Sequence, residues 1–405
     1  MNYKICLPTA GIGSRLKEIT KFINKSLVDV DNKPIISHIL GNFPKESKFV
    51  VPIGYKGNLV REYLEMVHPD YYFEFVDIFP YEGNNSGLGF TLLSCKKFLQ
   101  EPFVFIPCDT LLRSKIPNPS TNWIGYSESN DKSQYRTINI KDDKVTSINE
   151  KSSNASSDDF VYIGLCGIKD FRCFWDAKKD NKKISLEQGE VFGLKSLIKG
   201  GVSAINFEWS DIGNENSLER ARNFYKRDDS PIILDKKKEK IWFVDNKVIK
   251  FNTDKQFILD RVERASILSD FIPEMLSSGE NMYMYRKAEG EVLSKVISIN
   301  LFKKFLKTSK LFWKKIKLSP TQLKNFNVAC DDFYRNKTIL RVDEFMRIHN
   351  KVDDFLTING TETPPLKSLF EKVNWDILSN GDPTISHGDF HFENIIYNKK
   401  LDKLA

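Results

Sequence analysis

The chain has 405 residues, 40% hydrophobic and 28% charged, which is typical of a globular protein with two or three domains. Its net charge of +7 is scattered and accompanies no RNA- or DNA-binding motif, so we exclude nucleic acid as a partner. No apolar stretch is long enough to cross a membrane, and the first predicted strand leaves no room for a signal peptide. The six cysteines show no C-x-x-C spacing, which indicates free thiols in a reducing compartment. We therefore expect a cytoplasmic protein without stable membrane insertion.

A short apolar strand near the N-terminus runs into small residues and two cations. Residues 3–7 are predicted to form a buried strand, and open α/β sheets bind ligands beyond the carboxyl ends of such strands. Glycines there let backbone N–H groups approach phosphate oxygens, and Arg15 and Lys25 can offset the charge on a departing pyrophosphate. The residues expected around the nucleotide are Leu7, Ala10, Gly11, Gly13 and Ser14. This pattern predicts a nucleoside triphosphate site, and a glycine turn with a purely structural role is the alternative.

The same stretch resembles the signature of the sugar-1-phosphate and phosphocholine-type nucleotidyltransferases, G-x-G-[ST]-R followed by P-K-x-L and G-K-P-[IL]. Asn24 and Asn32 stand where that family usually has proline and glycine. The segment lacks the G-K-[ST] ending of a P-loop and the acidic residue of a dinucleotide site. The resemblance implies an α/β fold for residues 1–226, with a Rossmann-like, doubly wound mixed sheet of the GT-A-like type.

Further family-like segments follow in the expected order. Residues 49–56 resemble the second strand and its G-Y-K turn. Residues 83–89 resemble the glycine-rich loop that contacts the base, and the resemblance nominates Ser86 and Gly87 as nucleotide-binding residues.

Two aspartates are candidates for holding magnesium. The apolar run 103–109 predicts a buried parallel strand with Asp109 at its tip. Residues 207–214 resemble the family's W-x-D-x-G motif and nominate Asp211. Mg²⁺ usually takes one or two protein carboxylates together with substrate phosphates and water, so the pair fits this ion. A solvated aspartate at a strand end is the alternative for either residue.

Acceptor-binding residues are nominated by the resemblance alone. Glu150 and Lys151 resemble the family's E-K element, Tyr162 its acceptor-pocket strand, and Glu190 a loop near the acceptor. Each also has a structural explanation, since the first two could form a surface pair and Tyr162 could belong to the core.

The implied chemistry is an in-line attack of an acceptor phosphate oxygen on the α-phosphorus of a nucleoside triphosphate, with pyrophosphate as the leaving group. Magnesium on Asp109 and Asp211 would bridge the two phosphates. Lys25 would meet the attacking or transferred phosphate, and Arg15 the triphosphate tail. The reaction needs no histidine or cysteine nucleophile.

The C-terminal part contains a second motif. Residues 385–396 resemble the H-G-D-x-x-x-x-N loop of choline kinases and aminoglycoside phosphotransferases, in which Asp389 would accept the substrate's hydroxyl proton and Asn394 would hold magnesium. The resemblance implies a second, α+β kinase-like domain over 232–405. A predicted hairpin carries Lys250, the candidate contact to ATP phosphates or else an ordinary edge-strand lysine.

Kinases of this type need another aspartate, usually on the strand after the catalytic loop. Asp402 lies too near the loop and lacks that strand context, and the sequence ends at Ala405 before another aspartate. We expect a truncated version of a longer protein whose kinase-like part does not turn over as given. Residues 300–317 form a basic amphipathic pattern, which we expect to pack within its own domain, with a membrane-surface helix as the alternative.

The combined resemblances imply a magnesium-dependent, bifunctional enzyme that prepares precursors of cell-surface polysaccharide. CTP is the favoured nucleotide, with phosphocholine, phosphoethanolamine or a similar phospho-alcohol as acceptor. A sugar-1-phosphate enzyme using UTP or GTP is one alternative, and a non-catalytic nucleotide-binding regulatory or scaffold protein is another. The sequence leaves open whether the chain forms a homo-oligomer.

Overall fold

The computed structural model describes residues 3–83, 86–128, 132–151, 156, 158–180, 186–228, 230–231, 233–234, 236–385 and 387–405. The chain divides into two compact units. The first comprises Met1–Ser269 and Pro273–Lys287, and the second comprises Asp270–Ile272 and Ala288–Ala405. Within the described ranges, no helix is both long and apolar enough to span a membrane.

The first unit is built around a nine-stranded mixed sheet. Its elements are β1 (Lys4–Cys6), β2 (Asp29–Val30), β3 (Lys33–Pro34), α1 (Ile35–Leu40), β4 (Lys48–Ile53), α2 (Gly57–Val67), β5 (Tyr72–Asp77), α3 (Leu88–Cys95), β6 (Phe103–Phe105), β7 (Thr110–Leu112), β8 (Trp123–Ser127), β9 (Thr137–Lys141), β10 (Lys144–Asn149), β11 (Phe160–Ile168), α4 (Phe171–Asp180), α5 (Glu190–Leu197), β12 (Ser203–Asn206), β13 (Trp209–Asp211), α6 (Glu215–Tyr225), β14 (Glu239–Val244), β15 (Lys247–Asn252), α7 (Lys255–Ile267), β16 (Met275–Ser278) and β17 (Met282–Arg286).

The strand order of the large sheet is β5-β4-β1-β6-β11-β8-β12-β10-β9. Strand β1 lies between β4 and β6 and is parallel to both, whereas β11 is antiparallel to β6 and β8. Successive side chains of β1 enter different cores, because neighbours along a strand point to opposite faces. Ile5 packs in the core that contains residues of α1 and α2, and Cys6 packs in the core that contains residues of α3, α4 and α5. The predicted mixed α/β sheet is confirmed.

A smaller, four-stranded antiparallel sheet belongs to the same unit, in the order β14-β15-β17-β16. Strands β14 and β15 form the predicted hairpin, and Asp245 at its turn has a φ of 54°. Trp242 is fully buried on one face of this sheet, and its ring meets the ring of Tyr63 on α2 edge to face, with centroids 5.4 Å apart. The Lys247 ammonium donates to the carbonyl of Val67 over 3.0 Å.

Because this face is buried against α2, the compact unit continues to Lys287, past residue 226, where the sequence analysis placed a domain end. A functional division between 1–226 and 232–405 remains a prediction.

The second unit has one small core, formed by Leu293, Phe305 and Ile395. Its elements are β18 (Glu291–Val292), α8 (Leu293–Val296), α9 (Ile299–Phe312), α10 (Pro320–Asp331), α11 (Lys337–Ile348), β19 (Leu356–Ile358), β20 (Thr361–Thr363), α12 (Leu366–Phe370), α13 (Trp375–Ser379), β21 (Ile396–Asn398) and β22 (Lys403–Leu404). Strands β18, β21 and β22 form an antiparallel sheet. The amphipathic helix expected near residue 300 is α9, and its Phe305 packs within this unit.

The region between residues 300 and 372 contains strands as well as helices. Strands β19 and β20 form a hairpin, and the turn between them has positive φ at both Asn359 (50°) and Gly360 (79°). An Asn-Gly pair is the sequence that two-residue hairpin turns favour, because both residues tolerate the left-handed conformation.

Candidate functional site

The loop that follows β1, residues 7–14, is held against strand β4. The Leu7 amide donates to the carbonyl of Val50 over 3.0 Å, and the Thr9 amide donates to that of Pro52 over 2.9 Å. The Thr9 hydroxyl donates to the same Pro52 carbonyl, also over 2.9 Å. We call residues 7–14 the nucleotide loop, and these bonds fix its path across the end of the sheet.

The small residues of the nucleotide loop leave room at its outer side. Gly11 is exposed, and among the described atoms none lies within 4 Å of where its Cβ would be. Gly13 has a φ of 71°, a conformation that favours glycine, and it precedes the exposed Ser14 at the start of a 3-10 helix. Ala10 is buried beneath the loop. The exposed Gly11 and Ser14 make this loop a candidate for contact with an anion.

Asn24 connects the nucleotide loop to two neighbouring segments. Its side-chain amide donates to the carbonyls of Thr9, at 2.9 Å, and Tyr55, at 2.6 Å. Its side-chain oxygen accepts from the Ser26 amide at 2.9 Å and so caps the short helical turn that carries Lys25. The sequence analysis treated Asn24 only as a departure from proline. Its position immediately before the K-S-L turn was the signal for a capping role.

Lys25 and Asp109 form a close ion pair in which Nζ lies 2.5 Å from Oδ2. Burial by itself raises the pKa of Asp109, but the Lys25 charge and hydrogen bond, together with the more distant Arg15, bring it below its ordinary value. Burial lowers the pKa of Lys25, but the charge and hydrogen bond of Asp109 act against this effect, and the pKa lies above its ordinary value. Both groups are therefore charged at neutral pH.

Asp211 lies beside Asp109 because β13 pairs with β7. The Asp211–Thr110 pair is in register, and the Ile212 amide donates to the Asp109 carbonyl over 3.1 Å. Oxygen Oδ1 of Asp211 accepts from the Gly213 amide at 3.0 Å.

Arg15 lies beside Asp211 and is the fourth charged residue of the candidate site, after Lys25, Asp109 and Asp211. A Cβ on Gly213 would lie 3.0 Å from Asp211 Oδ1 and 3.3 Å from Arg15 Nη2, so only glycine leaves both side chains undisturbed. The structure thus brings together two cations and two carboxylates next to the nucleotide loop, as the sequence predicted for Arg15, Lys25, Asp109 and Asp211.

The carboxylates of the candidate site suit a metal ion whose remaining ligands come from the phosphates of a substrate. Among the described residues there is no cluster of three or more histidine, cysteine, aspartate or glutamate side chains that could hold a metal alone. Asp109 and Asp211 offer hard carboxylate oxygens from adjoining strand ends. Mg²⁺ is commonly bound by one or two carboxylates plus phosphate oxygens, so these residues fit it.

One of the nominated acceptor residues, Glu150, is paired with two cations that the sequence did not reveal. Glu150 pairs with Arg136 Nε at 2.9 Å and with Lys195 Nζ at 3.5 Å. Burial raises the pKa of Glu150, and Arg136 and Lys195 outweigh that effect and lower it. Lys151, expected as a possible surface partner of Glu150, is exposed at the adjacent position.

The other two nominated acceptor residues lie together in the interior. Tyr162 on β11 and Glu190 at the start of α5 are both buried. Burial, followed by the charges of Cys166 and Glu190, raises the pKa of Tyr162. The Tyr162 amide donates to the Arg136 carbonyl over 2.9 Å, which links this pair to the Glu150 cluster.

The glycine-rich loop is described only in part, since residues 84 and 85 of the 83–89 segment lie outside the described residues. The Ser86 hydroxyl donates to the Gly83 carbonyl over 2.7 Å. Gly87 has a φ of 114° and directly precedes α3.

The kinase-type residues are distributed over both units. Lys250 lies on β15 of the first unit, with Nζ 5.6 Å from the centre of the Tyr285 ring. In the second unit, the side-chain amide of Asn394 donates to both the carbonyl and Oδ2 of Asp389, each over 2.9 Å. Asp402 lies on the turn between β21 and β22, and its carboxylate accepts a hydrogen bond from the Tyr397 hydroxyl at 2.9 Å.

Curated relatives of this chain are nucleotidyltransferases and proteins named as bifunctional. Bifunctional protein GlmU of Methanococcus vannielii is 22% identical over 257 residues, 60% of this chain and 59% of the relative. UTP–glucose-1-phosphate uridylyltransferase AglF of Haloferax volcanii is 27% identical over 109 residues, 26% of this chain and 43% of the relative. D-glycero-alpha-D-manno-heptose 1-phosphate guanylyltransferase of Campylobacter jejuni is 27% identical over 151 residues, 35% of this chain and 65% of the relative. The chain thus spans less than two thirds of each of these relatives.

Among solved structures, CTP:phosphocholine cytidylyltransferase from Streptococcus pneumoniae is 16% identical, with a TM-score of 0.45 over 56% of this chain and 100% of that one. UDP-glucose pyrophosphorylase from Acinetobacter baumannii is 17% identical, with a TM-score of 0.46 over 56% of this chain and 93% of that one. No protein-family model matches the chain.

Proposed function

We propose that this protein is a magnesium-dependent nucleotidyltransferase that joins a nucleoside triphosphate to a small phosphate monoester and releases pyrophosphate. The observation that supports it best is the convergence of Lys25, Asp109, Asp211 and Arg15 beside a loop with an exposed glycine, Gly11. A site built of two cations and two carboxylates can stabilise a reaction whose charge lies on phosphate oxygens.

In the proposed reaction, an acceptor phosphate oxygen forms a bond to the α-phosphorus as the bond to the bridging β-phosphate oxygen breaks. Asp109 and Asp211 would hold Mg²⁺, which supplies Lewis-acid stabilisation of phosphate oxygens when bound. The Lys25 ammonium would stabilise charge on the transferred phosphate, and Arg15 would orient the triphosphate tail. Amides of the nucleotide loop near Gly11 would add hydrogen bonds to the phosphates.

For the substrates, we propose CTP with phosphocholine, phosphoethanolamine or a similar phospho-alcohol, as a step towards cell-surface polysaccharide. This choice is supported by the resemblance of the sequence motifs to the phosphocholine-type nucleotidyltransferases, whereas Tyr162 and Glu190, nominated for the acceptor, both lie in the interior. A sugar-1-phosphate enzyme using UTP or GTP is the second candidate, favoured by the names of the uridylyltransferase and guanylyltransferase relatives.

The decisive experiment measures pyrophosphate release with Mg²⁺, each of five nucleoside triphosphates, and a panel of phospho-alcohols and sugar-1-phosphates. Release is expected to require both substrates and to fall at least about a hundredfold in Asp109→Asn. Asp77→Asn is the matched control, because Asp77 ends strand β5 of the same sheet with its side chain 85% exposed. Nucleotide binding without release from any pair would instead favour a regulatory or scaffold protein.

We further propose that residues 232–405 form a kinase-like domain. The two hydrogen bonds from Asn394 to Asp389 support this, since they hold the proposed metal ligand against the proposed catalytic aspartate. With excess CTP present to occupy the first site, Asn394→Ala is expected to weaken binding of a fluorescent ATP analogue in the presence of Mg²⁺. Unchanged affinity would contradict the kinase-like assignment.

A further inference from the structure

We infer that Tyr135 is a positioning residue that orients the Asp211 carboxylate for metal binding, an inference that rests on the proposed function. The Tyr135 hydroxyl donates to Asp211 Oδ2 over 3.2 Å. The Gly213 amide donates to Oδ1 of the same carboxylate over 3.0 Å. With one donor on each oxygen, rotation of the carboxylate about its last bond is restricted.

The ring of Tyr135 is itself supported by the strand that carries Asp211. Its centre lies 5.2 Å from that of the Trp209 ring, at an interplanar angle of 79°. Trp209 and Asp211 are two residues apart on β13, so their side chains lie on the same face of the strand. Tyr135 therefore contacts both defining residues of the W-x-D motif, the tryptophan through its ring and the aspartate through its hydroxyl.

This arrangement differs chemically from the one at Asp109. Asp109 is paired with the Lys25 ammonium, which neutralises its charge, whereas the Tyr135 hydroxyl is a neutral donor. A carboxylate oxygen has more than one lone-pair site, so Oδ2 can accept from tyrosine and still coordinate an ion. Tyr135 can thus fix Asp211 without cancelling the charge that attracts Mg²⁺. Outer hydrogen bonds to metal ligands commonly tune metal affinity in this way.

The position of Tyr135 in the chain also links it to the acceptor side. The next residue, Arg136, bonds Glu150 through its side chain and accepts from the Tyr162 amide through its carbonyl. One short segment before β9 therefore carries adjacent side chains that reach the proposed metal residue and a proposed acceptor residue.

The test measures Mn²⁺ binding by electron paramagnetic resonance, since Mn²⁺ accepts the same oxygen ligands as Mg²⁺. Tyr135→Phe keeps the ring on Trp209 and removes only the hydroxyl. We expect Mn²⁺ to bind about tenfold more weakly to this variant, with an unchanged unfolding midpoint. In turnover assays, the Mg²⁺ concentration for half-maximal rate should rise while the rate at saturating Mg²⁺ recovers. Tyr72→Phe is the control, because Tyr72 is 62% exposed on β5.

A second variant separates the ring from the hydroxyl. Trp209→Ala removes the support of the Tyr135 ring and should also weaken Mn²⁺ binding, whereas Trp209→Phe keeps an aromatic partner and should largely restore it. Wild-type affinity in Tyr135→Phe, together with loss of binding in Asp109→Asn, would overturn this inference and leave the proposed function standing. Mn²⁺ binding that is insensitive to Asp109→Asn would overturn both.

Discussion

The Lys25 ammonium and the Asp109 carboxylate lie 2.5 Å apart between the nucleotide loop and the segment that follows β6. The two side chains are only 10% and 24% exposed, so each charge compensates the other's loss of hydration. This pair therefore contributes to the stability of the first unit as well as to the proposed chemistry.

Replacing Lys25 with methionine should lower the free energy of unfolding by roughly 2–3 kcal/mol, because Asp109 would keep a poorly hydrated charge without its partner. The depressed pKa of Asp109 means that its contribution is present above the ordinary value of 3.8 and is lost as pH falls through the lower folded value. The raised pKa of Lys25 means that its contribution is present below 10.5 and is lost as pH rises through the higher folded value.

The stability difference between wild type and Lys25→Met should be largest where Asp109 is ionised in both proteins, and it should shrink as pH falls and Asp109 takes up a proton in the variant, because loss of the Lys25 charge raises the pKa of Asp109 relative to wild type. Urea denaturation over a pH series measures it. Lys17→Met is the control, since Lys17 pairs with Glu215 in an exposed position and should matter little. A difference that did not shrink at low pH would contradict the assigned ion pair.

Gly54→Ala should weaken nucleotide binding by shifting the nucleotide loop. A Cβ at this position would lie 2.8 Å from both the Ala10 carbonyl oxygen and the Tyr81 Cβ, and the Ala10 carbonyl also accepts from the Tyr55 amide. We expect the KM for the nucleotide to rise about tenfold, with a smaller change for the acceptor, as measured by pyrophosphate release.

The matched variant for this prediction is Gly200→Ala, because among the described residues, its chain neighbours and its own helical turn aside, no atom lies within 4 Å of where its Cβ would be. Equal effects of the two substitutions on the nucleotide KM would show that the Gly54 contact does not govern the loop.

Glu62→Ala should destabilise the first unit by about 1–2 kcal/mol, because two backbone donors of the four-stranded sheet would lose their acceptor. Glu62 Oε1 accepts from the amides of Asn281 and Met282, over 2.9 and 3.0 Å. Glu62→Gln should cost less, since its amide oxygen can still accept both bonds. Thermal unfolding at pH 7 separates the two variants, and equal losses would contradict this account.

Because Glu62 titrates and glutamine does not, wild type and Glu62→Gln should also differ in how their free energy of unfolding depends on pH. Burial raises the pKa of Glu62, and the two amide hydrogen bonds reduce this rise only in part. Because the pKa of Glu62 is higher in the folded than in the unfolded protein, its titration favours the folded state most below the ordinary pKa of 4.5. This stabilisation is lost as the pH rises through the pKa of the folded protein. The glutamine variant should lack this pH dependence.

Trp242→Ala should cost about 3–5 kcal/mol of unfolding free energy, because a fully buried indole would leave a cavity against Tyr63. The whole first unit should be affected in a single transition, as followed by denaturant unfolding. Leu259→Ala on α7 is the control, with a side chain 51% exposed and an expected loss below about 1 kcal/mol. A separate early transition confined to the four-stranded sheet would contradict a shared core.

The parts of the fold that follow from local patterns were predictable from the sequence. The apolar run 103–109 predicts a buried strand with Asp109 at its tip, and β6 is such a strand, but it ends at Phe105, four residues before Asp109. The hairpin with its turn at Asp245 likewise follows from a local pattern. The burial of Trp242 against α2 was not predictable, since contacts between distant segments leave no periodic signal. The Asn359-Gly360 hairpin carried a local signal that the sequence analysis overlooked.

In the candidate site, too, the residues in local motifs were predictable from the sequence and the residue brought in by folding was not. Arg15, Lys25, Asp109 and Asp211 belong to short motifs, and the structure brings them together as expected. Tyr135 instead lies on a loop without a pattern of its own, so only its hydrogen bond to Asp211 in the folded chain reveals it.

The burial of the four-stranded sheet in the first unit has a consequence for how such a chain can be recombined. A crossover between related genes at residues 226–232 would separate Trp242 from Tyr63 and leave apolar surface on both products. A crossover near Lys287 would keep that core intact. Exchange of modules by evolution or by protein engineering should therefore succeed more often at the later junction, even though it cuts through the region with the kinase-like sequence.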